Sequence, residues 1–301
     1  MKGKIVKGIA GAYYISAENG SLYECFARGI FRSRGIKPLV GDNVSFDVID
    51  EENKKGNVIE ILERKSVLIR PPVANVDQAI ILFAITYPNP SYNLLDRFLI
   101  MMRQQKLPVI ICFNKSDIAS KTQQDELSHA YENCGYNVMF ISVNDNSGID
   151  EIRNALRGKT TVIAGPSGVG KSSLINLLHP KAEMETGELS RKIARGKNTT
   201  RHSELFKVSN ENIDTFIMDT PGFTSLYLKD VSLKELPLFY PEFDEFEEEC
   251  RFRGCAHISE PDCAVKKAVI DGKIPKVRYD NYVSLYEDIK NQKPIYNMKK
   301  R

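Results

Sequence analysis

The chain has 301 residues and a formal net charge of +3, from 42 Lys and Arg against 39 Asp and Glu. Hydrophobic residues make up 42% and charged residues 27%, which excludes a largely disordered chain, a collagen and a coiled coil. The longest apolar stretches, such as Ala79–Thr86 and Val109–Phe113, fall far short of the roughly 20 residues of a membrane span, and Met1-Lys2-Gly3-Lys4-Ile5 opens no secretory signal, so a cytoplasmic chain without a membrane partner is expected.

Residues 1–70 read as β structure. Val44, Phe46 and Val48 alternate with Ser45 and Asp47, the period of a half-buried strand. Ile5–Ile15 and Asn57–Ile61 have a similar character, and turn signals fall at Asn19-Gly20, Gly41-Asp42 and Lys55-Gly56. Short strands in so small a span suit a barrel, for which an OB-fold is one option.

After Pro71-Pro72 the pattern changes. Apolar runs at Ala79–Phe83, Val109–Phe113, Val138–Ile141 and Thr161–Ala164, with a shorter one at Phe216–Met218, read as buried strands. Helical stretches lie between them at Tyr92–Gln105, Gln123–Asn133, Ile149–Leu156 and Lys171–Leu178. The alternation predicts an α/β domain with a parallel sheet over residues 71–226. Beyond it, residues 227–301 hold an acidic run at Glu242–Glu249, a Cys/His cluster and a helix from about Val277 to Lys290. Five cations fall within Arg191–Arg201, and the tail from Lys290 to Arg301 is also basic; the plain reading of each of these runs, the acidic one included, is a solvated face.

The motifs sit at the ends of the apolar runs. Gly165-Pro166-Ser167-Gly168-Val169-Gly170-Lys171-Ser172 is a complete P-loop between a strand and a helix, with Ser173 next in line. Its glycines turn backbone N–H groups toward phosphate oxygens, Lys171 reaches the β- and γ-phosphates, and Ser172 ligates Mg²⁺. Asn114-Lys115-Ser116-Asp117 follows the Val109–Phe113 run and has the N-K-x-D form of a guanine site. A carboxylate at Asp117 accepts from guanine N1–H and its exocyclic amine, whereas adenine would leave it unpaired, so the pattern selects GTP over ATP. Ser142-Val143 sits where a supporting guanine loop is expected. Asp219-Thr220-Pro221-Gly222 has the form D-x-x-G, with Asp219 toward Mg²⁺ and Gly222 toward the γ-phosphate. The motif order is N-K-x-D, P-loop, Thr199-Thr200, D-x-x-G, a circular permutation of the usual GTPase. Phe223 stands where Ras-like proteins carry the glutamine that orients water.

Cys250-x₄-Cys255-x-His257-x₅-Cys263 offers four ligands of a closed, structural Zn²⁺ site. Cys25, Cys112 and Cys134 are isolated; His129 and His179 read as surface or helix residues. His202 lies close after Thr199-Thr200, with a surface role equally open.

Taken together, the β-rich start, the permuted GTPase motifs and the Cys₃His cluster resemble the bacterial ribosome small-subunit-dependent GTPase A family. The resemblance implies an OB-fold at 1–70, a permuted P-loop GTPase at 71–226 and a zinc-binding, mainly helical domain at 227–301. It also implies 30S subunit and 16S rRNA as partners, late subunit maturation as the role, subunit-stimulated hydrolysis of GTP to GDP, and a monomer. Arg191–Arg201 becomes switch I, with Thr200 as the Mg²⁺-sensing threonine and Thr199 the fallback. The family commonly has histidine where this chain has Asn198, a position implied to act in catalysis beside Lys171, Thr200 and Asp219. Because of Phe223 and Asn198, a GTP-dependent RNA-binding module with little intrinsic hydrolysis is the alternative. A guanosine alarmone could compete for the same site.

Overall fold

In the computed structural model the described residues are 1–33, 35–69, 72–182, 184, 204–208, 213–219, 228 and 231–292. Asn198, Thr199, Thr200, His202, Gly222, Phe223 and all of Arg191–Arg201 lie outside them.

Five strands close the N-terminal barrel: β1 (Lys2–Ile9), β2 (Ala12–Ala17), β3 (Leu22–Ala27), β4 (Asn43–Asp50) and β5 (Lys55–Ile61). The order is β1-β2-β3-β5-β4, β1 closes on β4, and a short helix α1 (Gly29–Ser33) follows β3. β3 and β5 run parallel and every other pair is antiparallel. This is the OB-fold. Ile5, Ile15, Tyr23, Val44, Phe46 and Val58 point inward and are fully buried. The Ile5–Ile15 stretch is two strands rather than one, because Ala10 and Gly11 both take positive φ and turn the chain back.

A two-stranded link, β6 (Val67–Leu68) with β7 (Val73–Ala74), leads to a six-stranded sheet. Its strands are β8 (Gln78–Ala84), β9 (Val109–Asn114), β10 (Asn137–Phe140), β11 (Thr160–Ala164), β12 (Leu205–Lys207) and β13 (Phe216–Asp219). The order is β10-β9-β8-β11-β13-β12, parallel except for β12. β8 shows why an unbroken apolar run is needed: Ala79, Ile81 and Phe83 face one core and Ile80, Leu82 and Ala84 the other. Helices α2 (Tyr92–Gln104) and α3 (Lys121–Glu132) cover the first face, α4 (Ile149–Leu156) and α5 (Lys171–Leu178) the second. α3 starts two residues before the stretch its apolar pattern marks, because Ser120 and Gln123 form a capping box.

The C-terminal part is mainly helical, with α6 (Asp244–Glu247), α7 (Ala264–Ile270) and α8 (Lys276–Lys290). Its core of Leu236, Tyr240, Phe243, Val265, Tyr282 and Leu285 also takes in Ile100 from α2. The Glu242–Glu249 run is not simply a solvated face, since Glu242 is buried against Arg278. Among the described residues no helix is long and apolar enough to cross a membrane.

Candidate functional site

The P-loop, the N-K-S-D loop and Ser142-Val143 all follow the carboxyl ends of parallel strands, where open α/β sheets bind ligands. Asn114, the last residue of β9, is 3% exposed and joins the three. Its Nδ2 donates to the Val169 carbonyl in the P-loop at 2.8 Å, and its Oδ1 accepts from the Val143 N–H at 3.2 Å. A side chain with both a donor and an acceptor is required there, which is what an asparagine supplies.

Within the P-loop, Gly165, Gly168 and Gly170 have positive φ. A Cβ on Gly170 would also strike Asn114 Nδ2, so the glycine is needed both for the turn and for the approach of the guanine loop. Ser167 and Gly168 are exposed at the tip; Val169 is buried beneath. Lys171, Ser172 and Ser173 form the first turn of α5, and Lys171 Nζ donates to the Pro166 carbonyl at 2.7 Å. The ammonium is therefore folded over the loop that would take the phosphates.

Lys115 is left-handed, at φ 68°, and its Nζ donates to the Tyr87 carbonyl. Asp117 is exposed, on a 3₁₀ turn at Ser116–Ile118, and accepts from Asn144 Nδ2 at 3.3 Å. Ser142 is fully buried; its Oγ accepts from the N–H groups of Asn144 and Asp145, which shapes the loop beside Asp117. Asn144 and the Tyr87 carbonyl were not evident from the motifs. Asn144 lies two residues past Ser142, whereas nothing in the sequence marks Tyr87. Asp219 ends β13, beside Ile163 of β11, on the P-loop side of the sheet.

A second centre lies in the C-terminal part. One ligand atom each from Cys250, Cys255, His257 and Cys263 falls within 4.8 Å of the others. Cys250 Sγ and Cys263 Sγ are 3.9 Å apart, and His257 Nδ1 lies 3.4 Å from Cys263 Sγ and 3.7 Å from Cys250 Sγ. A tetrahedral Zn²⁺ with sulfur at about 2.3 Å needs sulfurs close to 4 Å apart, so the cluster fits the ion, with Nδ1 as the nitrogen ligand. Burial pushes the Cys255 thiol up to about 12 and the Cys263 thiol upward, and holds His257 low, in the neutral form that ligates metal. Backbone N–H groups of His257 and Lys266 point at Cys255 Sγ and Cys263 Sγ. Tyr279 and Tyr282 donate to the carbonyls of His257 and Ala256, at 2.7 and 2.6 Å, which ties the ligand loop to α8.

Comparison with known proteins agrees with this geometry. A family model described as RsgA GTPase matches residues 61–229, and one described as RsgA N-terminal domain matches residues 2–58. The chain is 54% identical to the small ribosomal subunit biogenesis GTPase RsgA of Agathobacter rectalis, over 97% of this chain and 99% of that protein. It is 47% identical to the protein of that name from Alkaliphilus metalliredigens, with the same coverage of each. Among solved structures it is similar to YloQ, described as a circularly permuted GTPase, with TM-score 0.78, 40% identity and coverage of 98% and 96%. It is also similar to YjeQ from Thermotoga maritima, with TM-score 0.82, 31% identity and coverage of 97% and 99%.

Proposed function

The chain belongs to the RsgA GTPase family, and from that premise we propose that it binds the small ribosomal subunit, assists its late maturation and hydrolyses GTP under the subunit's stimulation. The observation that carries the reading is Asn114, whose one side chain joins the P-loop to both guanine-side loops. The guanine and the phosphates would then be gripped by a single connected unit.

Asp117 reads the guanine edge, with the Lys115 stem over the ring and Ser142-Val143 behind it. The P-loop from Gly165 to Ser173 takes the phosphates, and Gly222 approaches the γ-phosphate. When GTP arrives, Lys171 exchanges the Pro166 carbonyl for phosphate oxygens, which offer a stronger, charge-assisted partner. Ser172, Asp219 and Thr200 would hold Mg²⁺, which when bound neutralises charge on the β- and γ-phosphates. Asn198 orients water by hydrogen bonds and cannot take its proton, so the stimulating partner has a large share in the rate. Cys250, Cys255, His257 and Cys263 hold one structural Zn²⁺ that fastens the C-terminal part.

We place the domain junctions at residues 70 and 226, giving an OB-fold RNA-binding domain, the permuted GTPase and the zinc-binding domain. The barrel contacts 16S rRNA and the working species is a cytoplasmic monomer, two points that the resemblance to the family supports; a guanosine alarmone could enter the same site, as it could any guanine site.

The test is steady-state GTP hydrolysis with and without purified 30S subunits, with 50S as control and Lys171→Ala as blank. Strong stimulation by 30S alone is expected. GTP-dependent 30S binding without stimulation would replace this reading with that of a binding module.

A further inference from the structure

Strand β1 departs from regular pairing at one place. Its register with β2 shifts between Ile5 and Lys7, a bulge that changes which way the next side chains face. Ile5 is buried in the barrel core. Val6 belongs instead to the core of the six-stranded sheet, with Leu205, Phe216 and Met218. Lys7 then bridges to Glu204 through the backbone, and its Nζ lies 2.8 Å from the Glu204 carboxylate. On the other side of the bulge, Lys4 Nζ sits 5.7 Å over the Phe216 ring. The bulge thus docks the barrel on β12 and β13 through an apolar contact flanked by two lysines.

The docking point is next to the nucleotide machinery. β12 and β13 pair Leu205 with Met218, and Glu204 and Asp219 are the next residues along the two chains beyond that pair. In the sequence Glu204 follows Thr200 by four residues. Glu204 therefore stands where the chain enters the sheet from switch I and where β13 leaves it toward D-x-x-G. A carboxylate there, unneutralised, would repel Asp219 and the phosphates.

We propose that Lys7 is a positioning residue for GTP hydrolysis: through Glu204 it holds the start of β12 in register beside Asp219, so that the catalytic geometry depends on how the barrel is seated. The proposal rests on the chain being a GTPase stimulated by the small subunit. It gives the barrel a way to report its own engagement to the nucleotide site.

The experiment compares full-length wild type with Lys7→Gln, Lys7→Glu and the exchanged pair Lys7→Glu/Glu204→Lys. Turnover is measured over a titration of 30S subunits, and amide exchange is followed at 205–208 and 216–219. Lys7→Gln is expected to lower the stimulated kcat about fivefold, the scale of a partly exposed ion pair, with less than about a twofold change in half-saturating subunit. Lys7→Glu lowers it further and speeds exchange in β12, and the exchanged pair restores both. A wild-type kcat in Lys7→Glu, or failure of the exchanged pair to restore it, would overturn the proposal. If 30S does not stimulate the wild type, the functional reading fails, and exchange then judges the pair: unchanged β12 exchange in Lys7→Glu overturns the positioning role, whereas faster exchange restored by the swap supports it.

Discussion

Arg278 of α8 forms a buried ion pair with Asp96 of α2, 182 residues earlier in the chain. The same guanidinium donates from Nε to Glu242 at 2.7 Å and lies over the rings of Tyr240, Tyr131 and Tyr136, at 4.6, 5.4 and 5.7 Å from the centroids. Asp96 also accepts from Asn281 and Tyr131. One cation thus faces two carboxylates, all nearly without solvent, at the seam between the GTPase sheet and the zinc-binding part.

Two carboxylates against one cation leave an excess negative charge. Burial, with Glu242 adding to it, pushes Asp96 up to about 6 despite Arg278 and Asn281. Its unfolded value is near 3.9, so the folded state holds this proton more tightly. The stability this contributes is fully present below about pH 4 and is lost as pH rises through about 6. The expected outcome is that the stability difference between wild type and Asp96→Asn shifts against wild type from pH 4 to 7, on the order of 1–3 kcal/mol. Urea unfolding at a series of pH values measures it; a difference constant across that range would show that Asp96 does not titrate there.

Removing Arg278 tests the same seam differently. Arg278→Met leaves two carboxylates buried without their cation, which costs on the order of 3–5 kcal/mol. Thermal unfolding should show the C-terminal part melting before the sheet. A single transition shifted by less than about 1 kcal/mol would mean the pair adds little to the seam.

How far this was legible in the sequence depends on the range of the forces. Motifs that shape their own backbone, such as 165–172 and 114–117, were readable because phosphate and guanine chemistry dictates residues a few positions apart. The cysteines and His257 were readable for the same reason. The sheet was readable from its unbroken apolar runs, because a strand such as β8 is buried on both faces. Arg278, Asp96 and Glu242 were not readable: each is an ordinary charged residue of a helix or an acidic run, and only tertiary packing brings them together. The β1 bulge left no trace either, since Val6 is as apolar as a barrel residue must be.

The guanine reading predicts a change of base. In Asp117→Asn the amide can donate where the carboxylate accepted, which suits the carbonyl at position 2 of xanthine. The preference of GTP over xanthosine triphosphate should fall by roughly a hundredfold or more, read by competition binding. An unaltered ratio would remove Asp117 from base recognition. Gly170→Ala should abolish binding of both nucleotides, because its Cβ would strike Asn114.

The metal centre predicts one zinc per chain and its loss in Cys255→Ser. Zinc in small sites contributes on the order of 10 kcal/mol to folding, so chelation should expose residues 231–292 to protease. The sheet, with its own two cores, should still bind GTP. Metal analysis with limited proteolysis distinguishes this from a cluster of free thiols, which chelators would leave unchanged.

In the proposed mechanism the attacking water is left to Asn198, because Phe223 cannot hold it; both residues lie outside the described ones. Phe223 has no group to orient water, and an asparagine amide can hold water without accepting its proton. Histidine can do both at neutral pH. Asn198→His should therefore raise subunit-stimulated turnover by on the order of tenfold or more while GTP affinity stays the same. The gain should fade below about pH 6.5, where imidazole becomes protonated, and wild type should show no such step. A stimulated rate equal to wild type across that pH range would reject a role for this position and leave activation of the water to the ribosomal partner.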